Sequence, residues 1–135
     1  MDDDEVLPED LLEDEHEWLY RGMFLESSDL WRKWEECIEP RDLTKRGRIC
    51  RDQHSRNDDT ETAYTSWSTE RDKAQEFGEE ARSKATGEGE VVVFKVPVRT
   101  LANRCFHGYY EDESEILIEG TVEDVLPDEE EEENG

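Results

Sequence analysis

Apolar side chains in this chain gather in short runs between long polar stretches, and the spacing within each run predicts an element. Pro8 suits the first position of a helix, which Leu11, Leu12 and Glu15 extend. Trp18-Leu19-Tyr20 reads as a strand ending at Arg21-Gly22. Leu30, Trp31, Trp34, Cys37 and Ile38 recur at helical spacing behind a Ser27 or Ser28 cap, and Pro40 ends that helix. Residues 41–60 have little periodicity and read as the longest loop. Residues 63–67 predict a strand. After it, Ser68 or Thr69 caps a helix that turns Ala74, Phe77 and Ala81 inward, with Gly78 as its weak point. Residues 91–96, apolar at nearly every position, predict a strand buried on both faces. A short strand at 104–106 precedes a turn at His107-Gly108. Segments 116–118 and 121–126 flank Glu119-Gly120 and predict a β-hairpin. No internal repeat is present, and strands mix with helices without regular alternation. The class is therefore α+β with mainly antiparallel pairing.

Charge divides the chain into a middle and two ends. Only 33% of the 135 residues are apolar, and 40 acids stand against 16 bases for a net charge of −24. Residues 1–17 hold ten acids and 121–135 hold eight, neither with a Lys or Arg. We therefore expect one domain over residues 8–126 between disordered acidic ends at 1–7 and 127–135. The acidity is that of the two tails or of a high-salt cytoplasm. So negative a chain repels polyanions, which argues against nonspecific binding to nucleic acid or to an anionic membrane. No run is long enough to span a bilayer, and the acidic N-terminus is unlike a signal peptide. A cytoplasmic protein is expected, or one delivered into a target cell's cytoplasm. Cys37, Cys50 and Cys105 follow no disulfide framework.

Candidate chemistry lies in three fragments. In Tyr20-Arg21-Gly22, a guanidinium fork suited to phosphate stands beside a residue that permits close backbone approach, although a surface ion pair accounts for Arg21 equally simply. In Tyr64-Thr65-Ser66-Trp67-Ser68-Thr69, alternation puts Ser66 and Ser68 on one face, able to orient a ligand or carboxylate, or to cap the next helix. Glu113 and Glu115 project to the same side of a strand, roughly 7 Å apart at Cα, where like charges disfavour double ionisation. A charge run in so acidic a chain reads most simply as a solvated edge, but Glu115 adjoins the apolar run 116–118, which sets it at the mouth of the core. Cys50, His54, Cys105 and His107 have the donor types of a zinc shell but not its usual spacing, and no metal site is expected.

In order and type, Tyr20-Arg21-Gly22, Ser66-Trp67-Ser68 and Glu113-Ser114-Glu115 resemble the motifs of the mono-ADP-ribosyltransferases of the arginine–serine–glutamate class, with Trp67 in place of the usual Thr. The resemblance spans about residues 18–126 and includes 91–97 as the strand and Val-Pro that precede the loop before the glutamates. It implies two packed, mainly antiparallel sheets with flanking helices, and NAD+ as co-substrate. It implies that Glu115 stabilises the oxocarbenium-like transition state and that Glu113 activates the acceptor. Arg21, Gly22, Ser66 and Ser68 would bind the dinucleotide, and Phe106, Tyr109 and Tyr110 would form the acceptor-recognition loop. A Glu at position 113 implies a protein arginine as acceptor, and the family includes toxins.

Two other readings remain open at this stage: an ADP-ribosyltransferase-like binding domain without turnover, and an acidic mimic of DNA. The segment 41–56, with six bases against two acids, covers NAD phosphates or neutralises the chain's own acids.

Overall fold

The computed structural model describes residues 5–55, 61–101, 104–107 and 115–128. In chain order the elements are β1 (Glu5–Val6), α1 (Pro8–Glu13), β2 (Trp18–Glu26), a 3-10 segment (Ser27–Trp34), β3 (Cys37–Ile38), α2 (Arg48–Ser55) and β4 (Tyr64–Ser68). There follow α3 (Arg71–Lys84), β5 (Gly89–Pro97), a 3-10 turn (Val98–Thr100), β6 (Cys105–His107), β7 (Glu115–Glu119), β8 (Val122–Glu123) and β9 (Leu126–Pro127). The class is α+β. Among the described residues a seven-stranded antiparallel sheet runs β1-β6-β7-β4-β2-β5-β9, and β3 pairs with β8 in a second, two-stranded sheet.

The large sheet has two halves. Val-rich β5 pairs with β2 along nine positions, from Trp18↔Pro97 to Glu26↔Gly89. β4 pairs with β7 along five, from Tyr64↔Glu119 to Ser68↔Glu115. The halves meet through a single register pair, Tyr20↔Ser68, beyond which β2 and β4 part. Leu19, Leu25, Trp67, Phe94, Val96, Ile116 and Ile118 form the main core on one face. On the other face of the β4–β7 half, Tyr64, Phe106 and Leu117 make a smaller cluster, joined by Cys50.

Several sequence expectations are corrected. β2 does not end at Arg21-Gly22 but continues to Glu26, because Leu19, Arg21, Met23 and Leu25 maintain the two-residue period along one face. Cys37 and Ile38 belong to a strand, not to a helix with Leu30, Trp31 and Trp34. Glu36, at φ 65°, breaks the helical path between them, and Trp31 and Trp34 are each 61% exposed. Within the expected loop 41–60 lies α2, which has little apolar face because its anchor is a cation: Arg51 is buried with its guanidinium carbon 4.1 Å from the Phe106 ring centre. In α3 the inward positions are Ala74 and Gly78, while Phe77 and Ala81 are exposed.

The predicted hairpin does not form. Both edges of β7 are taken, by β4 and by β6, so the chain turns away at Gly120 (φ 83°) and pairs elsewhere as β8 and β9. Glu5 and Val6, expected in a disordered end, pair with Phe106 and Cys105. Pro127 and Asp128, expected in the acidic tail, are also held. The Asp128 amide donates to Val93 O at 2.7 Å, and its carboxylate meets Arg71 Nε at 2.7 Å and Lys95 Nζ at 3.5 Å. Nearby, burial raises the Tyr20 phenol above its ordinary pKa, with the Asp128 charge adding to the effect and Arg71 opposing it. Residues 1–4 and 129–135, Gly108 and Arg56 lie outside the described residues.

This three-way clamp closes β9 over β5. Both partners of the Arg71–Asp128 pair are largely shielded, which places it between a screened surface pair and a buried one. Asp128→Ala is expected to lower stability by about 1–2 kcal/mol, read as a lower urea midpoint at unchanged slope.

Candidate functional site

The site grows out of the place where β2 and β4 diverge. Continued antiparallel pairing beyond Tyr20↔Ser68 would set Arg21 opposite Trp67, but no such ladder forms. Instead the Arg21 Nη1 donates to the carbonyl oxygen of Ser66 at 2.9 Å, a side chain supplying the donor that a neighbouring strand would have given. The Ser66 hydroxyl in turn donates to Glu115 Oε2 at 3.1 Å. Three positions, 45 and 49 residues apart along the chain, are thereby joined in one hydrogen-bonded relay. Glu115 opens β7 and stands opposite Ser68, at the rim of the apolar strand as its sequence position suggested.

Beside this relay lies a cleft of about 620 Å³. Arg21, Met23 and Leu25 of β2, Phe94 of β5, and Tyr64 and Thr65 of β4 form one part of its wall. The strand β3 and the chain around it, with Glu35, Glu39 and Arg41, form much of the rest, together with Arg32 and His54. Arg21 takes part in both the relay and the cleft, whereas Ser66 and Glu115 are not among the cleft-lining residues. The Arg21 Nε is sealed from solvent and has no hydrogen-bond partner among the described residues. Burial brings the Arg21 pKa down to about 10, and the positive charge of Arg41 acts in the same direction.

The other expected site residues are placed as follows. Gly22 points away from the cleft, toward α3, where a Cβ would overlap the Ala74 carbonyl. Ser68 is buried, and its hydroxyl accepts the Glu70 N–H at 3.0 Å, a local turn leading into α3. Phe106, expected in an acceptor loop, lies in β6 with its ring edge-to-face on Tyr64 at 6.0 Å and Arg51 stacked over it. It is a core residue because β1 and β7 flank its strand. Glu113, Tyr109 and Tyr110 lie outside the described residues.

The basic segment 41–56 is shared between two tasks. Arg41 lines the cleft, while Arg51 Nη1 donates to the Tyr64 hydroxyl at 3.1 Å. That hydroxyl also accepts Gly47 N–H at 2.8 Å and donates to Glu119 Oε1 at 3.3 Å, and Arg46 meets Glu119 at 3.6 Å. Within this segment Arg46 and Arg51 therefore answer Glu119 and the aromatic cluster. His54 Nδ1 pairs with Thr62 Oγ1 at 2.8 Å, and burial pushes the Cys105 thiol up to about 12. Among the described residues there is no cluster of three or more metal-ligating side chains.

Sequence reading named Arg41 only as one base of the segment 41–56, and Tyr64 and Thr65 only as neighbours of Ser66; their place in the cleft wall comes from the fold. A signal was available for the β2 wall: the alternation Leu19, Arg21, Met23, Leu25 carries past Gly22 and places Arg21 on an otherwise apolar strand face. Among the described residues no helix is long and apolar enough to cross a membrane. Comparison of the chain with protein-family models, with curated proteins and with solved structures finds no match.

Proposed function

We propose that the chain is an NAD-dependent mono-ADP-ribosyltransferase with a small ADP-ribosyltransferase-like fold, cleaving the nicotinamide–ribose bond and passing ADP-ribose to an acceptor, a protein arginine in the leading case. The observation that carries this reading is the Arg21–Ser66–Glu115 relay: residues chosen for their chemical type are brought into hydrogen-bonding reach from three separate strands.

In this reading Glu115 accepts a hydrogen bond from a hydroxyl of the nicotinamide ribose. As the glycosidic bond stretches, positive charge grows on the sugar, and a fixed carboxylate lowers the energy of that state more than that of the ground state. Ser66 holds the carboxylate by its Oε2, so that reorientation is not needed during the reaction. Arg21, anchored at Nη1 and lining the cleft, faces a phosphate of the dinucleotide. Glu113, assigned on the resemblance, would take the proton from the incoming nucleophile.

Incubation with NAD labelled in its adenylate phosphate and a cell extract tests the reading directly. Label is expected in macromolecules, lost on protease treatment and retained on nuclease treatment, with nicotinamide released in step. No label and no nicotinamide above the Glu115→Ala background, over a range of salt, overturns it. One observation favours a second reading, a dinucleotide-binding domain without turnover: Arg21 lines the cleft but Ser66 and Glu115 do not. Saturable NAD binding with no nicotinamide release would decide for that alternative.

A further inference from the structure

We propose, resting on the reading just given, that the cleft holds the diphosphate of the dinucleotide between two guanidinium groups, Arg21 on β2 and Arg41 in the chain following β3, so that Arg41 is a second anion-binding residue of the site. Both side chains line the same cleft, whose volume of about 620 Å³ falls within the range of small-molecule sites. Among the described residues, Arg21 has only its Nη1 committed, to the Ser66 carbonyl, and its sealed Nε has no acceptor. A buried guanidinium charge is costly, and an anion arriving in the cleft that Arg21 lines relieves the cost.

The charges around the cleft point the same way. Arg21, Arg32, Arg41 and His54 face it with Glu35 and Glu39. Glu35 is held by Arg32 at 3.5 Å, which leaves Glu39 to set against Arg21 and Arg41. Arg41 is close enough for its charge to bear on Arg21, and two like charges facing one hollow favour an anion between them. In a chain of net charge −24 this gathering of cations is a local exception. A diphosphate offers oxygens on two phosphorus atoms and so suits two guanidinium forks better than one.

Titration calorimetry with ADP-ribose, inorganic pyrophosphate and adenosine tests the assignment on the wild type, Arg41→Gln and Arg41→Lys. Arg41 is exposed, and equal melting temperatures of the variants establish that any change is local. Arg41→Gln is expected to weaken ADP-ribose and pyrophosphate by roughly tenfold to a hundredfold, with part of the loss restored in Arg41→Lys and adenosine unaffected. Unchanged affinity for ADP-ribose in Arg41→Gln, or an equal loss for adenosine, overturns the proposal. The two readings fail separately. Arg41-dependent ADP-ribose binding without NAD cleavage removes the transferase and leaves the clamp. NAD cleavage with an unaltered KM in Arg41→Gln removes the clamp and leaves the transferase.

Discussion

Glu115→Gln is expected to reduce nicotinamide release by about a hundredfold to a thousandfold, the scale set by removing one preorganised electrostatic partner of a transition state. The substitution preserves shape, and the amide oxygen of Gln still accepts the Ser66 hydroxyl that Glu115 Oε2 accepts at 3.1 Å. What disappears is the negative charge beside a sugar that becomes cationic. Because that charge matters mainly at the transition state, kcat should fall while ADP-ribose affinity stays within about threefold. Ser66→Ala makes a useful contrast. It leaves the charge and removes only its orientation, so its loss should be nearer tenfold. A Glu115→Gln enzyme that retains most of its turnover would mean that Glu115 is a strand-end carboxylate and nothing more. A fall in ADP-ribose binding equal to the fall in rate would assign it to ground-state binding instead.

Strand content and type were legible where apolar residues run uninterrupted. The run 91–96 is β5, 63–67 anticipates β4 within a residue, and 116–118 lies inside β7. Partners were less so, because strand pairing depends on which edges are vacant. Nothing local to 116–126 records that β4 and β6 already flank β7, so a hairpin was the natural local solution. The site residues were readable by chemical type, and Arg21, Ser66 and Glu115 do meet. Arg41 was readable only as one base of the segment 41–56, because its place on the cleft wall comes from a connection without periodicity. Two elements were obscured because unusual residues anchor them. In α2 a buried Arg51 does the work of an apolar side chain, and in α3 the packing face is Ala74 and Gly78, too small to register against an exposed Phe77.

That small-residue face makes Gly22→Ala a strongly damaging substitution for the fold. Gly22 lies in mid-β2, where glycine ordinarily weakens a strand, so a compensating reason is needed. The reason is the approach of α3: a Cβ at position 22 would overlap the Ala74 carbonyl and come within 3.0 Å of the Gly78 amide nitrogen. Both obstacles are backbone, so no trimming of the side chain at 74 relieves them, and the helix must move as a body. At Gly78 the added Cβ would meet a Val91 methyl at 2.5 Å, the end of a side chain able to rotate. Gly78→Ala also gains about 1 kcal/mol in helix propensity, so its net cost should be small. Gly22→Ala has no such compensation and should cost about 3 kcal/mol or more, toward the upper end for overpacking. Urea unfolding of the two variants side by side checks the order. The outcome also decides what the glycine beside Arg21 is for. A Gly22→Ala protein with wild-type stability but lost ADP-ribose binding would assign Gly22 to ligand approach. A protein that unfolds early yet binds ADP-ribose normally while folded would assign it to the packing of α3 against β2.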